Sequence, residues 1–189
     1  MESRIGRIAI ILAILPIGTG AAMFLFSAIA QEFHASADVV STVLGLGGGV
    51  AIVAGCFVGG RLADRVAKPT AYAISCGLGL VACLVMALSP RTSGSYAATT
   101  LFYTFTLGMV TASFTGLVLA IIGETAAATK INLFFAINTL FSLGMLRAAG
   151  WAHDAWSTSG MLLTEAVTGV AALVAFALVA RRVPGRTRV

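Results

Sequence analysis

Residues 44–59 read LGLGGGVAIVAGCFVG, residues 60–69 read GRLADRVAKP, and residues 70–88 read TAYAISCGLGLVACLVMAL. Two long apolar runs thus enclose a short connection carrying one acid, Asp64, and three bases, Arg61, Arg65 and Lys68. A helix rises 1.5 Å per residue, so a hydrocarbon core of about 30 Å takes about 20 mostly apolar residues. The stretch therefore predicts two membrane-spanning helices joined by a charged connection.

The same length test, applied outward, finds six runs: 8–30, 40–60, 70–88, 96–122, 131–149 and 160–180. Composition agrees, since 59% of the 189 residues are hydrophobic, 10% are charged and the mean hydropathy is +1.00. A soluble domain carries about 25% charged residues. The runs lack the period-two alternation of barrel strands, and backbone groups in lipid must be satisfied within helices or a closed barrel. An all-α membrane protein of six transmembrane helices follows, occupying the whole chain as a single domain.

The start, MESRIGRIAIILAILPIGTGAA, has the bases, apolar stretch and small residues of a secretory signal. Its apolar character continues to Ala30, beyond the roughly 7–15 residues of a signal core, so a retained first helix is expected. Cys56, Cys76 and Cys83 fall inside the runs without metal-ligand spacing and are expected to pack. No cofactor or metal is expected.

A net charge of +5 invites a nucleic-acid reading, which the placement of the bases dismisses. Arg4 and Arg7, then Arg61, Arg65 and Lys68, then Lys130, then Arg181, Arg182, Arg186 and Arg188 all follow or precede the runs on one side. The opposite connections hold Glu32, His34, Asp38, Arg91, His153 and Asp154. The positive-inside rule puts both termini in the cytoplasm, with 181–189 a basic tail against anionic lipid and the bilayer as the chain's partner.

A weak internal echo accompanies this topology. Gly60 and Asp64 close the second run as Gly-x-x-x-Asp, and Gly150 and Asp154 close the fifth in the same way, 90 residues on. Three runs separate the two, so they fall on opposite faces, as two inverted three-helix repeats over about 8–90 and 96–180 require.

The stretch from Gly60 through Asp64 and Arg65 to Lys68 resembles G-x-L-A-D-R-x-G-R-K, the signature of the major facilitator superfamily between the second and third helices of a six-helix half. It departs at Ala67, where the signature has Gly, and at its closing bases, where Lys68 is followed by Pro69. The resemblance implies a cytoplasmic gating loop in which Asp64 caps or pairs with neighbouring helix ends and Arg65 and Lys68 assist. Residues 150–166 are similar to the last two helices of such transporters, which implies a C-terminal half. A second six-helix half or a homodimer partner would complete it. The plainer reading of 60–69 is a topology signal in which Asp64 caps the next helix.

The resemblance also implies a midplane cavity for a small solute, walled by the first and fourth helices. Pro16, Gly18 and Gly20 interrupt the first, freeing backbone groups that need partners, so Gly18 and Thr19 are candidate lining residues. In the fourth, Tyr103, Thr104 and Thr111 are candidates, although hydroxyls on helices commonly bond back to their own carbonyls. The glycines of the second run, with Gly45-x-x-x-Gly49 and Gly55-x-x-x-Gly59, predict close helix packing.

Ionisable residues in hydrocarbon usually pair or face a cavity. Arg147, near the end of the fifth run, either snorkels to the outer interface or lies within the membrane, and Glu165, on the same outer side of the sixth, is its expected partner: an intramembrane ion pair that is a means of proton coupling if buried and an anchor for two helix ends if exposed. Residue patterns of metallopeptidases, phosphate-binding loops and selectivity filters are absent from the sequence, which argues against an enzyme, an ATP-driven subunit and a channel. The remaining readings are a secondary transporter, or half of one, in a bacterial inner membrane, and a non-transporting assembly partner or remnant.

Overall fold

The computed structural model describes residues 20–122 and 127–181. All regular structure among them is helical. The first helix, α1 (Ala21–Phe33), alternates 3-10 and α geometry and ends at His34, whose left-handed backbone (φ 54°) turns its N–H onto the Ala30 and Gln31 carbonyls. Helix α2 (Ala37–Arg65) starts on the Ser36 side chain, which accepts from the Val39 N–H, with Asp38 in the first turn where the helix dipole favours an acid. A π-helical turn at Val43–Gly47 interrupts it, in the stretch where glycine weakens the regular ladder.

Helix α3 (Lys68–Leu88) carries Pro69 in its first turn, where a missing N–H costs no hydrogen bond. Helix α4 (Ser93–Ile122) is capped by Thr92, whose hydroxyl accepts from the Ser95 N–H at 3.2 Å. The last helical run, Ala127–Arg181, is broken at Trp156 and Ser157 into α5 (127–155) and α6 (158–181). The apolar part of this run, 51 residues, would extend about 76 Å if straight, more than twice a bilayer core.

Packing shows that the run reverses instead. One core cluster joins Phe26 and Phe33 of α1, Val43 of α2, Met86 of α3, Tyr96 of α4, Ala149 of α5 and Met161 of α6. The other joins Tyr72 of α3, Phe114 and Val118 of α4 and Phe176 of α6, with Ile131 and Phe134 of α5 against it. Helices α3 to α6 therefore run alternately between two ends of one bundle. Helix α4 is central, with 56% of its most apolar window buried against 17% for α2.

Four helical runs among the described residues are long and apolar enough to cross a membrane, and Ala21–Phe33 is a shorter apolar helix. The expected first span, 8–30, begins outside the described residues. Two expected connections are corrected. Residues 60–65 are the last turns of α2, leaving Val66 and Ala67 as the link to α3, and residues 150–155 are the end of α5. Charged and small residues beyond an apolar run still support helix, because hydropathy marks where lipid ends and not where hydrogen bonding ends.

Glycine does at α2 what the sequence expects, in one of its two motifs. Gly55 and Gly59 lie against the backbone of Phe105 and Met109 on α4, and Gly108 of α4 lies against that of Ile52. A Cβ at any of the three would strike main chain, 2.6 Å from the Met109 oxygen in the case of Gly59. Gly45 and Gly49 face open space and contribute no such contact.

Candidate functional site

The start of α1 positions the site. Gly20 has φ 66°, a left-handed conformation that glycine adopts without strain, and a Cβ there would lie 2.9 Å from Leu107. The chain then enters α1, whose first N–H groups have no carbonyl one turn earlier to accept them. Met23 N–H is taken by the Gly20 carbonyl at 3.2 Å. Ala22 N–H donates to Glu165 Oε2 at 2.9 Å, across 143 residues of chain.

Glu165 projects from α6 and is 8% exposed. Its other oxygen, Oε1, accepts from the Tyr103 hydroxyl of α4 at 2.6 Å. The Tyr103 ring is itself fixed by an edge contact with Phe26 of α1, centroids 5.0 Å apart, and the Phe26 carbonyl accepts from Tyr96 Oη at 3.0 Å. One carboxylate thus ties α1, α4 and α6 together, with the Cys83 thiol of α3 within electrostatic range. Two donors and the first turn of α1 face it, so both of its oxygens are engaged inside the bundle.

This geometry corrects the expected ion pair. Arg147 is exposed on α5 and makes no salt bridge among the described residues, while both oxygens of Glu165 are occupied by Ala22 and Tyr103. Residues near the same end of neighbouring helices can point to different sides, and Arg147 is exposed where Glu165 is buried. Tyr103 is correspondingly a partner of Glu165 and 4% exposed, so its hydroxyl is not offered to a cavity.

The threonine candidates behave as helix hydroxyls. Thr104 donates to the Thr100 carbonyl at 2.7 Å inside the bundle, and Thr111 donates to the Leu107 carbonyl at 2.9 Å on an exposed face. Gly18 and Thr19 lie outside the described residues.

At the end of α2, Asp64 and Arg65 are exposed and Lys68 is partly exposed, and a Cβ added at Gly60 would meet open space. Asp64 makes no hydrogen bond or ion pair among the described residues, so it caps neither α3 nor a neighbouring helix end here. The α3 N-cap is Ala67, at φ −56° and ψ 132°. That negative φ explains how Ala stands where the signature has Gly: the turn requires no left-handed residue.

The second motif lies at the other end of the bundle. A Cβ added at Gly150 would meet open space and the Asp154 side chain is 88% exposed. Beside it, His153 Nε2 lies 3.2 Å from Glu32 Oε1, joining the end of α5 to the end of α1. Sequence reasoning also missed Arg91, whose guanidinium lies over the Phe33 ring at 4.5 Å and donates to Ser159 Oγ at 2.7 Å. The signal for Arg91 was present, since a base in the acidic-side connection needs a reason of its own.

The fold and this buried carboxyl define a polytopic α-helical membrane protein with an ionisable group held among its spans. The chain belongs to the major facilitator superfamily, whose family model matches residues 8–189. Membership makes it a protein of secondary membrane transport, and members of the family are transporters rather than enzymes. No curated protein matches the chain.

Proposed function

We propose that the chain is one six-helix half of an alternating-access transporter for a small solute, completed by a second six-helix half or a second copy of itself. The observation that carries this reading is the placement of Glu165: an acid inside the bundle, held at the start of α1. Intramembrane ionisable residues mark solute and proton pathways, and broken helices line transporter sites. The proton is the coupling ion that such a group favours. Asp64, Arg65 and Lys68 act as the gating end of α2 in the state where the halves close upon it, and Gly150 and Asp154 are their counterpart in an inverted second repeat.

The gathering of Arg61, Arg65, Lys68 and Lys130 at one end, opposite Glu32, Asp38 and Asp154, supports an inner-membrane orientation with both termini cytoplasmic. The test is the native mass of the chain extracted from its own membrane in lipid nanodiscs. A dimer, or a complex with another six-helix chain, is expected; a lone monomer would overturn the completed-transporter reading.

A further inference from the structure

Every helix that starts among membrane spans creates the same difficulty. The N–H groups at the new helix start have no carbonyl behind them and no water to turn to. Soluble proteins meet this with Ser, Thr, Asp or Asn at the N-cap. The N-cap of α1 is Gly20, which has no side chain to offer. The acceptor comes instead from another helix, as Glu165 Oε2 on the Ala22 N–H.

We infer that Glu165 is a positioning residue: its carboxylate is the cap that fixes where α1 begins, and losing its charge releases α1 from α4 and α6. This rests on the transport reading for its consequence, the movement of a cavity wall, but not for its test.

The chemistry is one of acceptor count. An ionised carboxylate accepts from Ala22 N–H and from Tyr103 Oη at once, and both bonds are charge-assisted, roughly twice as strong as neutral ones. The helix start adds its positive dipole end. When a proton binds, one oxygen becomes a donor. The Ala22 bond falls to a neutral one, the dipole attraction vanishes and the Tyr103 proton needs a new acceptor. The groups facing Glu165 are Tyr103 from α4, Cys83 from α3 and backbone alone from α1. No base among the described residues stands ready to replace the lost interaction.

The arrangement also explains why a Glu and no shorter acid serves. The carboxylate must span from α6 to the main chain of α1 while keeping Tyr103 within 2.6 Å, a reach that Asp lacks by one methylene. Charge and reach are therefore separable by substitution. Glu165→Gln keeps the reach and loses the charge, and Glu165→Asp keeps the charge and loses the reach.

Nitroxide labels at Phe24 of α1 and Val167 of α6, both well exposed side chains, report the distance between the two helices in nanodiscs by pulsed electron paramagnetic resonance. In the wild-type chain a second distance population is expected to grow as pH falls. The Glu165→Gln chain is expected to show that population at every pH, with the pH dependence lost. A wild-type distribution that does not move with pH overturns the inference, as does a Glu165→Gln chain that keeps the wild-type pH response. Should Glu165→Gln fail to fold, Tyr103→Phe serves: a changed pH midpoint supports the cap, and an unchanged one overturns it. Transport assays play no part, so failure here leaves the alternating-access reading to be judged separately.

Discussion

Gly55 of α2 and Phe105 of α4 meet main chain to main chain, so closely that a methyl group at Gly55 would collide with the Phe105 carbonyl oxygen. Because Gly108 makes the reciprocal approach to Ile52, the two helices interlock over two turns without a side chain between them. Small residues are what allow helices to associate in lipid, where apolar burial gives no drive. Gly55→Ala and Gly108→Ala are each expected to destabilise by about 1–3 kcal/mol or more, since the obstacle is backbone and cannot rotate away. Gly45→Ala and Gly49→Ala, in open space, are expected to be neutral or to stabilise by up to about 1 kcal/mol. Thermal unfolding in nanodiscs distinguishes the two pairs.

Tyr103→Phe removes a donor from a buried carboxylate and is expected to cost about 1–3 kcal/mol. Thr104→Val, one residue away and equally buried, removes a hydroxyl bonded only to its own helix and is expected to cost less than 1 kcal/mol. Equal losses in thermal stability would contradict the assignment of Tyr103 as the carboxylate's partner.

Arg147 and Glu165 are expected to behave independently. The double variant Arg147→Ala, Glu165→Gln should lose the sum of the single losses to within about 0.5 kcal/mol, as for sites that share no partner. A coupling energy of 1 kcal/mol or more would restore the ion pair that the geometry rejects.

Ser157 has φ 63° and ψ −172°, a region open almost only to glycine. Ser157→Gly is expected to stabilise the chain by about 1 kcal/mol by relieving that conformation, read as a higher unfolding temperature. A lower one would mean that the turn between α5 and α6 is held by the Ser157 side chain.

Asp64→Asn should leave thermal stability unchanged or slightly higher, because Asp64 has no partner among the described residues and lies in the last turn of α2, where the helix dipole disfavours an acid. If the acid closes a gate against a second half, the same variant slows conformational cycling in the assembled complex while inserting normally. Wild-type cycling would remove Asp64 from the gate.

The runs of apolar residues made the helices legible, and the pattern around Gly60 made the family legible. Hydropathy could not say that residues 60–65 and 150–155 continue as helix. Tyr103 and Glu165 were each marked by type, an aromatic hydroxyl and an acid inside apolar runs, but their meeting was not. It spans 62 residues and depends on how α4 and α6 rotate about their axes, which nearly uniform apolar helices scarcely encode. Arg147 attracted the assignment because it lies only a short way along the chain from Glu165 and has opposite charge. The true acceptor need was backbone, at Ala22, and a backbone N–H has no letter in a sequence; only the Pro and Gly residues before it hinted that one would be orphaned.

The core of this bundle comes in two pieces, one around Phe26, Tyr103 and Met161 and one around Tyr72, Phe114 and Phe176. Amide exchange should therefore resolve two cooperative units in place of one, each able to open while the other stays protected. For the alternating access proposed above, such divided rigidity would let one mouth loosen while the opposite seal stays intact.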